Sequence, residues 1–167
     1  MENSKKISSP LELFGRAVDP SNFISTYILG HLWIERLLFH IIKIKTGKSE
    51  RAIERLTHAK LIDLIDSLNI LEPLQLKTLR KINQTRNKLA HDISYDFSIT
   101  EFRSLVHLAQ SAFSDMTDGF EQTLDELEGK ANLNEVSDFV YPEIFMQIAY
   151  DLEAVYVELG GKIDSFK

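Results

Sequence analysis

Apolar residues along this chain recur at steps of three and four, the spacing of helix faces, and sustained two-residue alternation is nearly absent. The pattern predicts a long helix from about Pro20 or Ser21 to Lys45, stopped by Gly47. Ser49–Leu56 and Thr57–Leu68 follow as two short helices or one bent one. Pro73 suits the first turn of a helix that runs to about His91. Ile93–Phe97 reads as a loop. Ser98-Ile-Thr-Glu101 has the spacing of a capping box and opens a helix to roughly Met116. Gly119 interrupts the pattern before it continues to Leu127, and residues 129–134 read as a turn. Pro142 starts a last helix, ended by Gly160-Gly161. A short turn of helix is expected over Pro10–Ala17. The expected fold is an all-α bundle of four to six helices with no sheet. It comprises a disordered segment 1–9 and one domain over 10–167, with its core at 20–128 and an acidic helical extension at 132–160.

Two of these helices carry more than a simple amphipathic stripe. In the first, Ile24, Tyr27, Ile34, Leu38 and Ile41 form one apolar row, and Ile28, Leu32, Phe39 and Ile42 form a second that includes Glu35. A helix apolar on several sides is covered on several sides, so a second subunit is expected on one of them. In the helix ending at His91, Leu79, Ile82 and Leu89 are helically spaced and Arg86 falls among them. A charge on an apolar row needs a partner, and Glu35 is the expected one. Arg80, Asn83, Asn87 and His91 form a polar row on the same helix. Arg86 and His91 are about 140° apart at ~100° per residue. They converge only if the arginine bends round or the helix loosens near its end.

Composition narrows the classes. The chain has 167 residues, 44% of them apolar and 26% charged, as a globular domain has. It has no cysteine, which excludes disulfides and thiolate metal sites. The first ten residues are polar, unlike a signal peptide, and the most apolar run is broken by His31, Glu35, Arg36, His40 and Lys43. A soluble, cytoplasmic protein is expected. Charge is divided unevenly: residues 1–91 hold 15 Lys/Arg and 9 Asp/Glu, and residues 92–167 hold 4 and 16. The basic half could face a polyanion.

The segment "RNKLAHD", residues 86–92, resembles the signature of HEPN domains: an arginine, a polar residue, then a histidine after a short gap. Arg86, Asn87 and His91 match it in turn. More loosely, residues 20–116 resemble HEPN-like proteins related to the mannitol operon repressor, which also have an acid in a long first helix. The resemblance implies a HEPN-like bundle and a homodimer whose paired Arg and His line a cleft and cut RNA without metal. Arg86 and His91 would be catalytic, with Asn87 and Glu35 in support and Lys88, Arg80 and Lys81 on the RNA. Cleavage would leave a 2′,3′-cyclic phosphate and a 5′-OH. The biology implied is that of a toxin or phage-defence ribonuclease, with an antitoxin or other regulatory partner protein. The alternative is a non-catalytic regulator of the mannitol repressor kind. Some HEPN toxins carry a modifiable tyrosine two residues after the histidine; here Ile93 stands there and Tyr95 is the nearest tyrosine.

Other candidates are weaker. His31 and Glu35, four apart, could share a metal, but two ligands do not make a site, so no metal and no cofactor are expected. His40, His58 and His107 read as surface or structural, and Trp33 as core or dimer interface. Glu121, Asp125 and Glu128 read as a solvated face, and Gly160-Gly161-Lys162 lacks the rest of a phosphate loop.

Overall fold

The computed structural model describes residues 9–10, 23–92, 95, 97–114 and 118–162. Residues 1–8, 11–17 and most of the 93–97 loop, for which disorder, a helical turn and a loop were expected, lie outside the described residues. Among those described the chain is all helical. It comprises α1 (Phe23–Thr46), α2 (Glu50–Ile53), α3 (His58–Ser67), α4 (Pro73–His91), α5 (Ile99–Ala112), α6 (Asp118–Leu127) and α7 (Val140–Glu158), with a 3₁₀ turn at Leu133–Glu135. No helix among the described residues is long and apolar enough to cross a membrane.

Local signals set the ends of these helices. Gly47 takes a positive φ of 65° just past α1 and Gly160 one of 94° just past α7, where a side chain would be strained. Pro73 occupies the first turn of α4, and the Gln75 side chain accepts from the Glu72 N–H at 2.9 Å. At α5 the expected box forms: Ser98 Oγ accepts from the Glu101 N–H at 3.2 Å, and Glu101 Oε2 accepts from the Ser98 N–H at 3.0 Å. Helix α5 stops at Ala112, four residues short of the expected Met116, with Phe113 buried as its cap.

Helix α1 is the axis of the bundle. It packs against α7 along its length and against α3 and α4 on another side, while α5 and α6 close the ring between α4 and α7. Tyr27, Ile34, Leu38 and Ile41 of its first row, and Ile42 of its second, are fully buried. Helix α7 is no appendage. Thirteen of its residues are buried, among them Ile144, Phe145, Ile148 and Leu152. The expected extension at 132–160 therefore supplies one wall of the core; its acidic residues obscured an apolar content that a helix buried on several sides requires. At Gly30 of α1 the Phe145 ring of α7 fills the space of a side chain.

Further along the same interface, His40 lies 6.1 Å from the Tyr156 ring, centroid to centroid. Burial, then the charges of Arg36 and Lys43, push its imidazole down to about 4, against a smaller upward pull from Glu50. The unfolded chain, with His40 near 6.5, binds a proton that the folded chain refuses. His40 therefore costs nothing at neutral pH and removes stability as pH falls from about 6.5 toward 4. Melting curves across that window should show a falling midpoint, with a shallower fall in His40→Gln; an unchanged slope in the variant would contradict the assignment.

Candidate functional site

Three elements bring polar groups to the side of α1 that faces α3 and α4. His31 occupies the gap between Tyr27 and Ile34 in the buried row of α1, and Glu35 lies one turn further on. Thr57 caps α3, its Oγ1 accepting from the Lys60 N–H at 3.4 Å. His58 is thereby the first residue of α3 and points into the bundle. Helix α4 contributes Asn83 and Arg86.

The two imidazoles stack with centroids 4.0 Å apart at 30°, and their residues are 2% and 5% exposed. His31 Nε2 donates to Asn83 Oδ1 at 3.2 Å, and His58 Nδ1 donates to Glu35 Oε2 at 3.3 Å. The remaining ring nitrogens, His31 Nδ1 and His58 Nε2, are buried without a hydrogen-bond partner. Burial, then the adjacent His58, lowers His31 to about 4, so its ring is neutral at physiological pH. The His58 hydrogen bond, aided by the nearby Arg86 charge, holds the Glu35 carboxyl below the usual range despite its partial burial.

The expected ion pair between Glu35 and Arg86 does not form. Glu35 is taken by His58, and Arg86 reaches it only through space. The reason is positional: His58, at the start of α3, lies against Glu35 and satisfies it first. Arg86 is half-buried; its Nη1 donates to Asn87 Oδ1 at 3.2 Å and its buried Nε has no hydrogen-bond partner. Among the described residues it has no ion-pair partner.

Helix α4 stays regular through His91, and the Asp92 N–H donates to Lys88 O at 2.9 Å. The end of the helix does not loosen to swing His91 toward Arg86. His91 is exposed, as are Asn87 and Lys88, and no hydrogen bond joins His91 to Arg86 among the described residues. Beyond the helix end, Lys88 Nζ sits 4.9 Å over the Tyr95 ring, and the Tyr95 hydroxyl donates to Glu101 Oε1 at 3.0 Å. That chain ties the end of α4 to the start of α5. Arg80 is already neutralised, bridging Asp63 at 3.2 Å and Asp66 at 2.7 Å on α3. An RNA phosphate would compete with both carboxylates for it. Lys81 is half-buried.

Spacing along the chain did not single out His58. Its signal was present: His58, Leu61, Ile62 and Ile65 form one helical row, and all four are buried. The expectation of no metal rested on His31 and Glu35 being only two ligands, and His58 removes that premise. A cleft of about 840 Å³ elsewhere, lined by Phe23, Leu89, Tyr95, Leu133 and Tyr141 among others, includes neither Arg86 nor His91. No protein-family model, curated protein or solved structure matches this chain.

Proposed function

We propose that this protein is a HEPN-type endoribonuclease that works as a homodimer, with Arg86 and His91 at the cleavage site. The observation that carries the reading is an arginine with no ion-pair partner among the described residues. Arg86 lies in the C-terminal part of α4, whose exposed end also carries Asn87, Lys88 and His91. A guanidinium held this way matches phosphate oxygens in a planar fork. His91 offers an exposed imidazole, the side chain best suited to proton transfer near neutral pH. In the reaction the ribose 2′-OH attacks phosphorus and its proton passes to a base. The P–O5′ bond breaks, and the departing 5′ oxygen takes a proton. The products are a 2′,3′-cyclic phosphate and a 5′-OH. The nucleophile belongs to the substrate, so the reaction needs neither an activated water nor a metal. RNA should be cut in EDTA with these termini, and the matching DNA should be spared; strict Mg²⁺ dependence would remove the mechanism. A cytoplasmic toxin or phage-defence role, with a neutralising partner protein, fits such an activity.

The dimer draws on α1. Ile24 and Leu32 are 44% and 45% exposed on a helix with ten buried residues. A second copy laid on that face would cover them and bring two Arg86–His91 sets together, which a single helix cannot do. Light scattering at micromolar concentration should give twice the chain mass, and Leu32→Asp should give the monomer. A monomeric wild type would contradict the reading.

A specific observation favours the second reading, a non-catalytic regulator. The Nε of Arg86 is buried and its charge interacts with Glu35 and His31, inside the bundle. If the purified dimer cuts no RNA, that inward role is the whole of Arg86's function.

A further inference from the structure

Two buried imidazoles and a half-exposed carboxylate meet where α1 and α3 pack, and the RNA-cleavage reading uses only the Glu35 charge. We infer that His31, Glu35 and His58 form a binding site for a divalent transition metal of the zinc class. One ligand atom from each of the three lies within 4.8 Å of the other two. Bonds of about 2.0–2.2 Å in a tetrahedral shell place ligand atoms roughly 3.4 Å apart. The difference is of a size that side-chain rotation can close.

The hydrogen bonds favour a metal over a purely structural cluster. His31 gives its Nε2–H to Asn83, which leaves Nδ1 with a free lone pair; His58 gives its Nδ1–H to Glu35, which leaves Nε2 likewise. Both lone pairs are buried and unsatisfied. Buried nitrogens in stable proteins find partners; a cation supplies one for His31 Nδ1, and at His58 it takes the place of the proton shared between Nδ1 and Glu35 Oε2, 3.3 Å apart. A ligating histidine commonly donates its other N–H to a carbonyl or carboxylate, as His31 does here to Asn83. Imidazoles with one carboxylate and no thiolate select zinc, cobalt, nickel or copper over magnesium or calcium. Three protein ligands leave a fourth position open, and the partly exposed Glu35 side chain marks its route to solvent.

The site stands whether or not RNA is cleaved, and its test does not use cleavage. The full-length, metal-free protein is titrated with Co²⁺ and followed by visible absorption. One equivalent per chain should give the d–d bands of a four- or five-coordinate ion, and Zn²⁺ should displace it and raise the melting temperature. Glu35→Gln keeps the size of the side chain and should weaken Co²⁺ at least about tenfold. His58→Gln should abolish the bands; His107→Gln, at an exposed position on α5, should leave them intact. Circular dichroism shows which variants are folded, and Glu35→Gln decides the matter if His58→Gln is not. A folded wild type without a one-equivalent Co²⁺ spectrum, or Co²⁺ affinity unchanged in folded Glu35→Gln, overturns the site.

Discussion

His91→Ala is expected to reduce RNA cleavage by about 100- to 10,000-fold, the usual range for losing a general acid or base, with the melting temperature nearly unchanged. The separation of the two effects follows from position. His91 is the last residue of α4 and is exposed, so its removal opens no cavity. Arg86→Lys should lose cleavage to a comparable degree for a different reason: an ammonium is a point charge and cannot present two parallel N–H groups to two phosphate oxygens. The pH profile distinguishes the roles, because losing the proton carrier flattens the profile, whereas losing the phosphate clamp lowers it throughout. Full activity in folded His91→Ala would sink the mechanism. Glu35→Gln gives an intermediate case. It removes the charge that Arg86 feels through space, and it should reduce activity less than either substitution at the site.

The same geometry shows what periodicity reveals and what it leaves out. Helical spacing located α1, α3, α4 and α7 because each carries a continuous apolar row, and caps such as Ser98–Glu101 fixed ends whose chemistry is local. Polar residues lodged in those rows were also visible: Glu35 in α1 and Arg86 in α4 each interrupt an apolar face. The same test applied to α3 and to the first row of α1 finds His58 beside Leu61, Ile62 and Ile65, and His31 between Tyr27 and Ile34. What one-dimensional spacing cannot supply is the pairing between helices. Glu35 was expected to pair with Arg86, and only the packing of α3 on α1 shows that His58 takes it instead. The place of α7 was hidden in a similar way. Charge placed it in the acidic half of the chain, whereas its depth in the fold depends on contact with a helix more than a hundred residues away.

That contact carries the largest expected effect on stability. Phe145 is 1% exposed, and its ring stands edge-on to Tyr27, centroids 5.0 Å apart at 86°. It also fills the notch left by Gly30: a Cβ there would fall 2.2 Å from Phe145 Cγ. Phe145→Ala should cost about 3–5 kcal/mol, as large-to-small changes at buried aromatics do. Gly30→Ala acts from the other side. The substitution favours an isolated helix by about 0.8–1.0 kcal/mol, but no side chain fits between Gly30 and the ring. Either Phe145 leaves its rotamer or the helices move apart, and overpacking of this kind costs about 1–3 kcal/mol or more. The sign of the net change therefore tests the packing: helix propensity alone predicts a more stable protein, and the α1–α7 contact predicts a less stable one. The two changes share a space, so they should not add. In a Phe145→Ala background the notch is empty, and Gly30→Ala should become neutral or stabilising, because helix propensity then decides the sign. Urea unfolding of the four proteins measures the coupling; additive free energies would show that Gly30 and Phe145 do not meet.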